Sequence, residues 1–352
     1  MTTKEIYIKK MIRLSGIIVS LILFFYLAYI FIDIIVIVTI SLLIAMIFNP
    51  LVDFLEEKGL PRLLSVFIVI ISAGSAIGLG IWILIPKIMG QFNTILITLS
   101  KESVENFSGQ LETFIKKFVP FVNSSELVVK IQNLLTNSIY NVVNNLSTFI
   151  SSILSLLTLF VIVPFIIFFF LKDRKTLTKG IINIMPNRYF EVSYWVIRKI
   201  SIQLGRFVRG WILDAFLVGF LSALGLSILG INNSVSIGVV AGIGHLIPYF
   251  GPIIGGIPAI IISVVQFGDL SMLPSILVMF LIIYTIDNGF IQPNVFSKST
   301  DFHPITIIVL IIAGSKLLGV FGMLLAIPTA TVVKTAAKEI YNGYKNYKII
   351  KA

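Results

Sequence analysis

Few side chains in this sequence are equipped for chemistry. Asp214, in RGWILD, and Asp287, in IDNGFIQP, are carboxylates set in long apolar runs, and Asn288 and Gln292 follow the second one closely. His245 stands in GHLIPYFGPIIGGIPA and Lys316 in AGSKLLGV. Ionisable groups in apolar spans are costly and mark ion or substrate paths, so the aspartates are candidate coupling carboxylates. An imidazole titrates near neutral pH; amides bind polar oxygens, and a lysine pairs with a carboxylate or an anionic solute. Each also has a structural use. Asp214 could cap locally or pair with Arg209, Asn288 and Gln292 could satisfy a helix end, His245 could be a hydrogen-bonded packing residue, and Lys316 could snorkel to water.

Other chemistries are excluded. Cysteine is absent, which removes disulfides, thiolate catalysis and iron–sulfur clusters. The two histidines, His245 and His303, are distant in sequence, so neither a metal nor a cofactor is expected. There is no HExxH and no serine–histidine pair at protease spacing; FGDL and YTID resemble an aspartyl pair only superficially. An enzyme is therefore not expected.

The elements that must position these residues are membrane helices. The chain is 57% hydrophobic and 12% charged, against roughly 25% charged in soluble domains, so an all-α polytopic membrane protein is expected. The net charge of +11 reflects orientation rather than nucleic acid, because the basic residues gather in segments that read as cytoplasmic. Lys172 to Arg209 carries nine Lys or Arg against two acids. With basic residues at both ends, the termini are expected in the cytoplasm and the number of crossings even. Lys4 to Arg13 leads into an apolar stretch without a cleavage site, which reads as an uncleaved first span.

Leu14 to Phe48 is too long for one span, so a tight hairpin is expected near Asp33. The second helix is expected to continue past Asn49 and Pro50, and a third, Leu63 to Ile85, to end at Pro86. These form an N-terminal unit, 1–86. Residues 87–148 show apolar positions at helical spacing and read as an extracytoplasmic amphipathic insert, packed as a cap or at an interface. Residues 149–210 read as a fourth span and a basic cytoplasmic segment, 211–336 as the transport core, and 337–352 as a basic tail.

In the core, Trp211 to Leu229 and Met272 to Phe290 read as full spans. Val235 to Ile247 and Ile253 to Gln266 are arms too short to cross, joined by GHLIPYFGPIIGGIPA, whose tip is Pro248 to Pro252 with Gly251 and whose returning part carries Gly255, Gly256 and Pro258. Ile305 to Leu318 and Val320 to Val333 repeat the pattern, joined near Lys316 and Gly319 and followed by Gly322 and Pro328. FGPIIGGIPA (250–259) and FGMLLAIPTA (321–330) share an FG start and an IP near the end. The expectation is about eight membrane segments: six full spans plus two re-entrant hairpins in inverted repeat, with the tip residues shaping backbone around a transport site. Eight ordinary kinked spans satisfy the same charge asymmetry.

LLIAMIFNPLVDFLEEKGLPR, FFFLKDRKTL, GRFVRGWILDAF, GHLIPYFGPIIGGIPA and IQPNVFSKSTDFHPITIIVLIIAGSKLLGVFGMLLAIPTATVVK, in that order, resemble the autoinducer-2 exporter family of bacterial transporters, from about Leu42 to about Lys334. Pro293 belongs to the last block. The resemblance implies secondary transport across the bacterial cell membrane: a small polar signal molecule, or a monovalent cation such as Na+ exchanged for protons. It also implies a homo-oligomer. The alternative is a channel-like or scaffold membrane protein acting in sporulation.

Overall fold

In the computed structural model, the structure describes residues 26–98, 161–184, 190–296 and 302–346, with isolated residues 15, 16, 19, 20, 22, 23, 129 and 130. Among these, helices are the only regular structure. Most of the 87–148 insert and the first part of the fourth span lie outside the described residues.

Helix α1 (Ile32–Glu57) carries Pro50 in its interior, as expected. The hairpin expected near Asp33 is not there. Phe31 N donates to Leu27 O and Ile35 N to Phe31 O, so helical bonding continues across Phe31, and Asp33 lies exposed in the first turn. An aspartate neither lacks a backbone donor nor demands positive φ, so it cannot by itself reverse a run of apolar residues. The chain turns only after Glu57, where Gly59 (φ 94) closes the helix. Gly59 N reaches Glu56 O and Leu60 N reaches Leu55 O, the paired bonds of a Schellman motif.

Helix α2 (Arg62–Thr98) corrects a second expectation, because it passes through Pro86. Proline removes one ladder bond, and the helix continues through it to Thr98 on the bonds that remain. Helix α3 (Val161–Lys172) is fastened to the α1–α2 turn by Arg62. Its Nε and Nη2 donate to Leu171 O (2.9 and 2.6 Å) and Nη1 to Glu56 (2.7 Å). Beneath this lies a core of Val52, Val66, Val69, Ile167 and Leu171.

After α4 (Arg174–Asn183), the basic segment and the fifth span form one helix, α5 (Phe190–Ile228). Its 39 residues extend about 58 Å, roughly twice the hydrocarbon thickness. Helices α6 (Ser234–His245) and α7 (Gly251–Phe267) form a helical hairpin. Both open ends lie together: Gln266 accepts from Asn232 N (2.8 Å) and donates to Gly230 O (2.7 Å). Backbone contact holds α6 to α5. A Cβ on Gly219 would stand 2.9 Å from Gly238 O, and one on Gly242 2.9 Å from Ala215 O. Small residues at i and i+4 permit this approach, which supplies packing where lipid offers no hydrophobic drive between helices.

In the loop before α8 (Leu273–Ile286), Asp269 accepts from Ser271 N and Oγ, which holds its carboxyl below the usual range. After α8 come one π-turn (Asp287–Ile291) and short α9 (Gln292–Phe296). Helix α10 (Pro304–Asn346) is broken at Leu318 and Gly319 (φ 58, ψ −136). There the chain folds back, because a Cβ on Gly314 would overlap the carbonyl of Gly322 and vice versa. In a straight helix those two residues would be about 12 Å apart.

Among the described residues, five helices are long and apolar enough to cross a membrane: Ile32–Glu57, Arg62–Ile83, Phe190–Ile228, Leu273–Phe296 and Pro304–Asn342. Three shorter apolar ones accompany them: Val161–Lys172, Ser234–His245 and Gly251–Val264. The protein is a multi-pass membrane protein.

Candidate functional site

Asp214, His245 and Asp287 meet. His245 Nε2 lies 3.3 Å from Asp214 Oδ2 and 3.4 Å from Asp287 Oδ2, with side chains 2%, 5% and 3% exposed in that order. Each comes from a different element, and the depths agree. From the face carrying the 229–233 and 268–272 loops, Asp214 is 14 residues along α5 and Asp287 14 along α8, each about 21 Å at helical rise. His245 ends α6 eleven residues in, about 17 Å. The local sequence explains each placement. Asp214 lies on the face of α5 that buries Val218 and Ser222, His245 is set by the stop that Pro248 imposes, and Asp287 begins the π-turn, a distortion found often at functional sites.

The hairpin tip is shaped around the imidazole. Leu246 to Phe250 are held by tight turns, with Tyr249 at positive φ (72°), an uncommon conformation for a bulky side chain. Trp211, one turn before Asp214, donates from Nε1 to Leu246 O (2.9 Å) and stacks on Phe207. Gly251 lies directly against His245: a Cβ there would stand 2.7 Å from Nδ1 and 2.8 Å from Cβ. Gln292 Nε2 donates to Asp287 Oδ2 (2.9 Å).

Other expected site residues stand apart from this cluster. Asn288 bonds back to Tyr284 O (2.8 Å) on its own helix. Gly255 packs on Ala241 and Phe280, Gly256 lies more loosely on Phe280, and Pro252 and Pro258 stand within α7. Pro293 is exposed in α9. Lys316 is exposed beside the α10 break and has no ion-pair partner among the described residues. Gly319 makes that break, Gly322 packs on Gly314, and Pro328 is buried inside α10. The local pairing considered for Asp214 does not form, since the Arg209 guanidinium instead approaches Met46 O (3.4 Å). Sequence reasoning missed Trp211, whose spacing of three from Asp214 puts both on one helical face.

Asp214 Oδ1, Asp287 Oδ1 and both His245 ring nitrogens are buried without a hydrogen-bond partner. An unmet buried polar atom costs about 1–3 kcal/mol, so hydrogen bonds within the cluster do not offset its burial. One donor atom from each residue lies within 4.8 Å of the others, close enough to share a cation. The arrangement can hold positive charge deep inside an apolar bundle.

The comparisons with known proteins concern nearly the whole chain. Residues 18–342 match the AI-2E family transporter profile, beyond both limits of the quoted blocks. YueF of Bacillus subtilis (strain 168) is 28% identical over 299 residues, 82% of this chain and 79% of that one. YrrI of the same organism is 25% identical over 303 residues, 84% and 83%. Both are named as candidate transport proteins. PerM of Escherichia coli (strain K12), named as a candidate permease, is 28% identical over 189 residues, 53% of each chain. A polytopic helical chain with a buried ionisable cluster and broken helices, matched over this extent, belongs to the AI-2E family of membrane transporters.

Proposed function

We propose that this protein is a secondary transporter that carries a cation through the Asp214–His245–Asp287 site. The single observation behind this reading is the convergence of two carboxylates and an imidazole about 20 Å inside the bundle. Between the cargo classes known in the family, a neutral sugar-like signal and a cation, a cluster with two carboxylates favours the cation. The α6–α7 hairpin is re-entrant in this reading. Its arms of 12 and 17 residues extend about 18 and 25 Å, short of the roughly 30 Å core, and both return to one face. The excess of basic residues over Lys172 to Arg209 favours the cytoplasm for the opposite face. The folded-back α10 shares a core with Leu204, Phe207 and Val208 of α5 and Val36 and Leu43 of α1, and Trp211 connects that region to the hairpin tip. Movement of one broken element against the other would expose the site alternately.

Proteoliposome flux tests this. Saturable cation movement driven by an imposed gradient is expected, reduced at least tenfold in Asp214→Asn and Asp287→Asn without loss of assembly. Conductance without saturation would indicate a channel instead, and full flux in both variants would remove the site from the transport path. A cysteine scan of Ile247 to Ile257, in a chain with no native cysteine, tests the hairpin. Labelling at Tyr249 to Pro252 from both sides supports a re-entrant tip, whereas labelling at one surface only supports ordinary spans.

A further inference from the structure

The spacing within the cluster says which cations suit it. His245 Nε2 is almost equidistant from two carboxylate oxygens, at 3.3 and 3.4 Å, and has hydrogen-bond geometry to neither. A charge-assisted N–H···O bond would close to about 2.7–2.9 Å, shorter than either distance here. The same distances are what a shared metal ion produces. For ligand bonds of about 2.0–2.2 Å, the edge of a tetrahedron is about 3.4 Å.

Charge and donor type narrow the occupant. Two carboxylates and a neutral imidazole carry −2, which one divalent cation cancels, whereas a monovalent ion leaves net charge in apolar surroundings. Na+, Mg2+ and Ca2+ take oxygen donors; a nitrogen donor beside two carboxylates selects a first-row transition ion. Support from outside the cluster is also present. Gln292 orients Asp287, and Gly251 lets the imidazole sit where a side chain would displace it. Three protein ligands leave a fourth position open, as in sites that exchange what they bind and unlike closed structural ones.

We infer that Asp214, His245 and Asp287 form a three-ligand site for a divalent transition-metal cation of the Zn2+, Co2+ or Mn2+ class. This names the cargo of the proposed transport site and rests on that reading for transport, though not for binding.

The test uses the full chain, free of any histidine tag, in detergent and stripped with chelator. Titration with Co2+ is followed by visible absorption, and titrations with Zn2+, Mg2+ and Na+ by calorimetry. One Co2+ per chain, with the intense bands of a tetrahedral site, is expected. Gln292→Ala is expected to weaken binding about 10–100-fold, and His245→Gln and Asp287→Asn by more. His303→Ala retains full binding. If His245→Gln fails to assemble, the isosteric Asp287→Asn carries the same comparison. Absence of one-to-one transition-metal binding, binding that survives Asp287→Asn and Gln292→Ala, or displacement of Co2+ by equal Na+ or Mg2+ each overturns the inference. Cation flux measured alongside separates the two readings. Flux that depends on Asp214 without transition-metal binding refutes this inference and leaves transport standing, and binding without flux does the reverse.

Discussion

Replacing Gly251 by alanine should damage the site while leaving every chemical group in it. The added methyl would stand 2.7 Å from His245 Nδ1 and 2.8 Å from its Cβ, against an ordinary contact of about 3.4 Å or more. The imidazole or the tip must therefore move by about 0.6–0.7 Å. The imidazole has little freedom, because its Cβ is crowded as well and Trp211 holds the carbonyl of the next residue, Leu246. Overpacking of this kind costs about 1–3 kcal/mol, small enough for the protein to assemble. At reacting centres a 1 Å misplacement costs about 100-fold, so a fall of about 10–100-fold in flux is expected here. The assay compares proteoliposome uptake with a thermal melt in detergent. Gly256→Ala in the same helix is the reference, since its methyl meets nothing closer than Phe280 at 3.8 Å. Normal flux in a well-assembled Gly251→Ala protein would refute the claim that the tip is built around the imidazole.

Other changes probe the scaffold. Trp211→Phe keeps the ring but removes the donor to Leu246 O, so flux should fall several-fold with a stability loss of about 1–3 kcal/mol for the orphaned carbonyl, read by uptake and melting. Gly219→Val sets a side chain against the backbone of Gly238 and Gly242, which cannot move aside as a rotamer can; failure to assemble, seen by size-exclusion chromatography, is expected. Arg62→Ala removes both donors to Leu171 O and the Glu56 pair. It should cost about 1.5–3 kcal/mol in a melt, while leaving the affinity of the distant site unchanged.

The residues that betrayed themselves in sequence acted locally. Pro248 and Gly251 mark the hairpin tip and Gly319 the second break, because proline and glycine alter the backbone where they stand. The same logic failed at Asp33 and Pro86. A lone aspartate keeps its backbone donor and a lone proline removes only one ladder bond, so neither by itself ends a helix that the bonds on both sides continue. Trp211 and Gln292 were overlooked or left undecided because their importance lies in what they touch: Leu246 O and Asp287.

Hydropathy and charge alone determined that this is a multi-pass helical membrane protein, for these properties sum along the chain without reference to packing. Even the depth of the two aspartates was countable, 14 residues from one loop face in both helices. What no count along the chain could supply was rotation about each helix axis. That was decided when Gly219, Gly238 and Gly242 brought α5 and α6 into backbone contact and Gly251 made room for the imidazole. Only then did Asp214 and Asp287 face His245, while Asn288, one residue further on, turned back to its own helix.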